Sequence, residues 1–198
     1  MLEFKKEIGN IYRLKVPFDT VYTSVFFIDS DEKKILVDCA TWQRDVDEII
    51  IPALASLGYS LTEIDAIVLT HKHGDHAGGL GRILELHPSI EVVSAPCDLT
   101  EDLSTYPLPG HTNDSIGVFD KKSGALISGD GLQGAGVDKY RCSLRNKSAY
   151  FETLNKIKDD KRIENLLFSH AYEPWNSDTT FGRSEVEKRL EECFECAK

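Results

Sequence analysis

The chain opens on short apolar runs. Tyr12 to Val16, Val21 to Ile28 and Ile35 to Val37 read as strands, parted by charged turns such as Asp29-Ser30-Asp31-Glu32-Lys33-Lys34. The period then changes. Val46, Ile49, Ile50, Leu54 and Leu57 fall on one helical face between Trp42 and Leu57, and Gly58 ends it. Pro52, inside that face, is predicted to kink or divide the helix, because it cannot donate to the preceding turn. Ser60 and Glu63 form a capping-box pair ahead of Ala66-Ile67-Val68-Leu69, a buried strand. A helix over residues 77–87 comes next, then a strand from Glu91 to Ser94, then a stretch at 95–108 whose prolines predict mostly loop. Ile116 to Phe119 and Ala125 to Ser128 flank a tight turn and predict a hairpin. Residues 129–145, rich in glycine, predict a surface loop. Tyr150, Leu154 and Ile157 mark a helix and Asn165 to Ser169 a strand. Val186, Leu190, Phe194 and Ala197 mark a last helix, with Ser184 and Glu187 as its capping box. The pattern predicts a single α/β domain over residues 1–198.

Charge narrows the partners. A formal net charge of −10 over 198 residues leaves no broad basic face for nucleic acid. Met1 to Glu7 lacks the apolar core of an export signal, and no run approaches membrane-spanning length. Five scattered cysteines, Cys39, Cys97, Cys142, Cys193 and Cys196, read as reduced thiols. The expectation is a cytoplasmic protein with a small-molecule substrate, no nucleic acid and no membrane. Nothing in the pattern sets an oligomeric state. Cys193-Phe194-Glu195-Cys196 lies on the last turn of a terminal helix, outside the context in which such a pair does redox or metal chemistry.

The candidate chemistry lies in Thr70-His71-Lys72-His73-Gly74-Asp75-His76-Ala77-Gly78-Gly79, where a strand hands over to a helix. His71 and His73 alternate along an extended backbone and so face one side. Asp75 and His76 turn toward the helix and can face a second point. Imidazole and carboxylate are ligands that suit zinc, iron or manganese. The same arrangement recurs downstream. His111 sits in the turn Pro107-Leu108-Pro109-Gly110-His111-Thr112, Asp130 ends Leu126-Ile127-Ser128-Gly129, and His170 ends Leu166-Leu167-Phe168-Ser169. His87, on an amphipathic helix, is given no role.

These motifs, in this order, resemble those of the metallo-β-lactamase fold superfamily over about residues 10–195. The resemblance implies a four-layer αββα sandwich with two divalent ions, zinc first and iron or manganese as alternatives. It implies His71, His73 and His111 on one ion, Asp75, His76 and His170 on the other, and Asp130 bridging. Asp38, after Ile35-Leu36-Val37, is similar to the family's early strand-end aspartate, which steadies the ligands. Two ions about 3.5–4 Å apart can share a hydroxide that attacks an acyl carbon, with Asp75 managing protons. An aspartate at position 130 departs from the lactam-cleaving members. The implied reaction is therefore hydrolysis of a thioester, ester or lactone. Glyoxalase II-type thioester hydrolysis, small phosphodiesters and a non-catalytic metal-binding role stand behind it. Lys139, Tyr140 and Arg141, with Arg145 and Lys147, come after Asp130 and are candidates to bind an anionic substrate. Lys139 is similar in position to a substrate-binding lysine of glyoxalase II, but the resemblance is not expected to extend to the helical C-terminal domain of that family.

Overall fold

The computed structural model describes residues 2–133, 142–171 and 177–198, and its chain divides into two units, Met1–Ser94 and Ala95–Lys198. In the first, β1 (Lys5–Ile8), β2 (Ile11–Phe18), β3 (Val21–Asp29), β4 (Lys34–Val37), β5 (Ala66–Val68) and β6 (Glu91–Val93) lie side by side in sequence order. The pairs up to β3–β4 are antiparallel and joined by tight turns, whereas β4, β5 and β6 are parallel. Parallel neighbours need crossovers, and the helical segments supply them. Between β4 and β5 run α1 (Gln43–Asp45), a π-helical stretch Val46–Ile50, α2 (Ile51–Ser56) and a 3₁₀ turn Leu61–Glu63. Between β5 and β6 run α3 (Gly74–Ala77) and α4 (Leu80–Leu86). Pro52 does divide its helix. It falls in the first turn of α2, directly after the π-helical stretch, where its missing N–H costs least. The Ser60–Glu63 capping box forms, with Ser60 N donating to Glu63 Oε2 at 2.8 Å.

Helices and sheet share one apolar core in this unit, where Leu14, Phe27, Leu36 and Ile67 meet Val46, Ile50, Leu54 and Ile83. Phe26 and Phe27 point to opposite faces of β3 and both are fully buried. That is why this strand reads as a continuous apolar run rather than an alternating one.

The second unit holds β7 (Leu103–Pro107), β8 (Ile116–Asp120), β9 (Ala125–Gly129), β10 (Asn165–Phe168) and β11 (Thr179–Phe181), in the order β11-β10-β9-β8-β7. Among the described pairs of this sheet only β9 and β10 run parallel, and α5 (Lys147–Asp159) lies in the connection between them. α5 and α6 (Arg183–Cys196) pack Tyr150, Leu154, Ile157, Val186, Leu190 and Cys193 on Phe119, Leu126, Leu166 and Phe168. Three expectations are corrected here. Part of the expected loop at 95–108 is strand β7, an edge strand that tolerates Pro107 at its end. The expected surface loop at 129–145 begins deep in the protein, with Leu132 and Gln133 fully buried. The Ser184–Glu187 capping box does not form, because Gly182 caps α6 and Glu187 pairs with Arg183 and Lys161.

Candidate metal centre

In the first unit the candidate ligands come directly after β5, and the loop after β4 supports them. Asp38 and Ala40 both take left-handed backbone (φ 63° and 61°), a bend that non-glycine residues adopt at a cost. The bend is tied down on both sides. Asp38 N donates to Val68 O at 2.9 Å and Cys39 N to His76 O at 2.8 Å. Gly78 closes the contact, since a Cβ there would land on the carbonyl of Thr41.

The buried Asp38 carboxylate organises the ligand loop. Oδ1 accepts from Thr70 N at 2.8 Å, and Oδ2 accepts from Thr70 Oγ1 at 2.9 Å and lies 2.7 Å from His76 Nδ1. A carboxylate only accepts, so His76 carries its proton on Nδ1 and turns the lone pair of Nε2 outward. The Thr70 hydroxyl gives its proton to Asp38, so toward His71 Nδ1, 3.1 Å away, it can only accept. His71 therefore also presents a bare Nε2. The ring centroids of His71 and His73 are 4.5 Å apart and those of His71 and His76 4.2 Å. His73 is the N-cap residue of α3, with extended backbone that places its ring beside that of His71. Asp75 sits in the first turn of α3, partly exposed, with Oδ2 3.6 Å from His76 Nε2. Burial, reinforced by the Asp38 carboxylate, pushes the Cys39 thiol far up, so it stays protonated and donates to His76 O.

In the second unit three candidates converge on one another. Asp130 comes after β9 and His170 after β10, at matching ends of a parallel pair. Asp130 Oδ1 lies 3.3 Å from His170 Nε2, and Asp130 Oδ2 lies 3.6 Å from His111 Nε2. One carboxylate thus faces an imidazole on each oxygen. His111 is clamped by the lead-in to α5. Arg145 N donates to His111 O at 3.2 Å, Asn146 N to Gly110 O at 2.9 Å and Thr153 Oγ1 to Pro109 O at 2.8 Å.

The donor set fits divalent metal. His71 and His76 present Nε2 because Thr70 and Asp38 occupy their Nδ1 atoms, and each unit has a carboxylate among its candidates, Asp75 in the first and Asp130 in the second. His87 lies apart, its Nε2 3.1 Å from Ile64 O. Lys139, Tyr140 and Arg141 lie outside the described residues. Thr70, Gln133 and Ser143 carry no metal-type signature, yet each touches a candidate ligand. A single sequence holds no sign of the last two. Thr70, polar directly after an apolar strand and before His71, is the one that position alone could have flagged.

The pattern of the metallo-beta-lactamase superfamily matches residues 18–96. A Beta-lactamase-like protein 2 homolog from Caenorhabditis elegans is 28% identical over 72% of this chain and 54% of its own length. An atrochrysone carboxyl ACP thioesterase from Claviceps purpurea is 25% identical over 70% of this chain and 48% of its own. The chain thus spans about half the length of these two relatives. A hydroxyacylglutathione hydrolase from Prochlorococcus marinus is 26% identical over 96% of this chain and 84% of its own. The mono-zinc form of the metallo-β-lactamase FIM-1 from Pseudomonas aeruginosa superposes with a TM-score of 0.75 at 16% identity, covering 99% of this chain and 96% of that one. At that identity the likeness speaks for the fold, two mixed sheets with flanking helices. The matching pattern over residues 18–96 makes the first part of the chain similar to the metallo-beta-lactamase superfamily, and the solved structures share its fold.

Proposed function

We propose that the chain is a metal-dependent hydrolase of a small thioester, ester or lactone, working with two divalent ions, zinc first and iron or manganese as alternatives. His71, His73 and His111 would hold one ion, Asp75, His76 and His170 the other, and Asp130 would serve both. The observation that carries this reading is Asp130, which offers one oxygen to His111 and the other to His170. When bound, such ions acidify water and polarise an acyl oxygen. The rest of the work falls to side chains. Asp75, partly exposed beside His76, would take a proton from the attacking water and return it to the leaving group. Asp38 and Thr70 fix the rings of His71 and His76 and so spare the site that reorganisation. Lys139 and Arg141, with Tyr140 between them, supply charge for an anionic substrate.

The acyl bond is favoured because relatives named as a thioesterase and a hydroxyacylglutathione hydrolase match most of this chain. The second of these, aligned over 96% of the chain, favours a glutathione thioester as the second reading. The test combines stoichiometry and turnover. Zinc-loaded protein is expected to carry two ions per chain and to cleave members of a panel of thioesters, esters and lactones, and chelation should abolish cleavage. Asp75→Asn is expected to keep its metal and lose about 10²–10⁴-fold in rate, the range of general acid–base work. Turnover indifferent to chelation, or a fully loaded Asp75→Asn protein with wild-type rate, overturns the proposal.

A further inference from the structure

Two groups compete for one nitrogen of His111. Ser143 O lies 2.7 Å from His111 Nδ1, and Gln133 Nε2 lies 2.9 Å from the same atom. The carbonyl can only accept, so its bond needs a proton on Nδ1. The amide N–H can only donate, so its bond needs a lone pair there. The carboxamide cannot escape by turning over, because Ser143 N donates to Gln133 Oε1 at 2.6 Å, which fixes the oxygen on that side. Nor can the residue move away. Tyr150 Oη accepts from Gln133 N at 2.7 Å and donates to Gln133 O at 3.1 Å, and both side chains are fully buried. Tyr150 also backs against Gly110, where a Cβ would come within 2.6 Å of the tyrosine Cβ.

We propose that Gln133 is a positioning residue that sets the ring tautomer of His111, and with it the readiness of His111 to take a metal ion. The inference rests on His111 being a ligand, as in the function proposed above. In the metal-free protein the Gln133 amide holds Nδ1 as an acceptor, and the imidazole proton sits on Nε2, facing Asp130 Oδ2 at 3.6 Å. For Nε2 to become a ligand atom, its proton must leave and another must arrive at Nδ1, where Ser143 O accepts it. The charge of the ring does not change. Gln133 therefore opposes ion capture and Ser143 favours it. His76 lacks this opposition, since the acceptor-only Asp38 carboxylate stands at its Nδ1. The two imidazoles face opposite instructions.

The test reads the tautomer and the metal separately. In metal-free protein with ¹⁵N-labelled histidine, two-bond ¹H–¹⁵N correlations are expected to show His111 protonated on Nε2 and His76 on Nδ1. Gln133→Glu keeps an acceptor for Ser143 N and replaces the donor by a second acceptor. It should move the His111 proton to Nδ1 and tighten the first zinc dissociation constant, measured by chelator competition, by roughly tenfold. Gln133→Met removes the donor without adding charge and should shift both readouts the same way by less. A wild-type His111 already protonated on Nδ1, or zinc binding unchanged or weakened in both variants, overturns the inference. If no form binds zinc, the hydrolase reading fails on its own, and the metal-free tautomers still decide the role of Gln133.

Discussion

Asp38 receives two donors from Thr70 and a third from His76 while almost wholly buried. Such a carboxylate is stable only because every partner is in place. Asp38→Asn keeps the shape and reverses the chemistry, for the amide can still accept from Thr70 N but offers an N–H to His76 Nδ1. We expect zinc affinity to fall about 10–100-fold and stability to drop by about 1–3 kcal/mol. Chelator competition and urea unfolding check the two halves, and an Asp38→Asn protein that binds zinc like wild type removes Asp38 from its ring-setting role. At this scale the sequence is informative wherever chemistry is dense along the chain. His71, His73, Asp75 and His76 stand within six residues, and Asp38, His111, Asp130 and His170 each stand at or near a strand end. Gln133 stays hidden because its importance lies in a nitrogen 22 positions away, which no local pattern encodes.

Elements are legible where burial leaves a period and illegible where pairing alone defines them. β3 and α5 announce themselves by apolar runs and spacing. β7, with its polar Ser104 and Thr105, and the three-residue β11 exist because a neighbouring strand is there to pair with. The α6 start escapes the sequence for a related reason: Glu187 finds Lys161, far away in the chain, instead of its own helix N-terminus. α6 also sets a pH limit. Cys193 is fully buried against α5, and burial pushes its thiol from 9.0 up to about 12. A raised acid contributes stability that is whole below pH 9 and lost as pH climbs through 12. At about 1.4 kcal/mol per unit this is a few kcal/mol at its limit. Cys193→Ala should start less stable at pH 8, through the lost packing, yet decline less steeply between pH 9 and pH 12. Urea midpoints across that range measure it, and parallel curves for the two proteins exclude the thiol as a cause. Cys39 and Tyr150, also buried and raised, push the same way and leave a residual slope.

For the whole molecule, the acidic excess gives the cations after Asp130 their interest. The function proposed above gives Lys139 and Arg141 an anionic ligand, a role distinct from the about 0–1 kcal/mol that a surface ion pair contributes to folding. Lys139→Ala with Arg141→Ala is expected to raise KM for an acidic thioester about tenfold, near the roughly 1.5 kcal/mol of a hydrogen bond to a charged group. Metal content and KM for a neutral thioester of the same leaving group should hold. An equal rise for both substrates makes the segment structural. The fold class is legible from the alternation of strands and helices, but its division into units Met1–Ser94 and Ala95–Lys198 is not, because no linker composition marks the boundary. Strand polarity in the two sheets also has a practical side. Asp38, His71, Asp130 and His170 all leave the carboxyl ends of β4, β5, β9 and β10, whereas the turns Ser30–Lys33 and Lys121–Gly124 feed β4 and β9 from their amino ends. A strand of four or five residues is about 13–17 Å long. Those two turns are therefore the natural seats for a fluorophore, an affinity tag or a surface tether, each held a full strand away from the residues whose hydrogen bonds must not be disturbed.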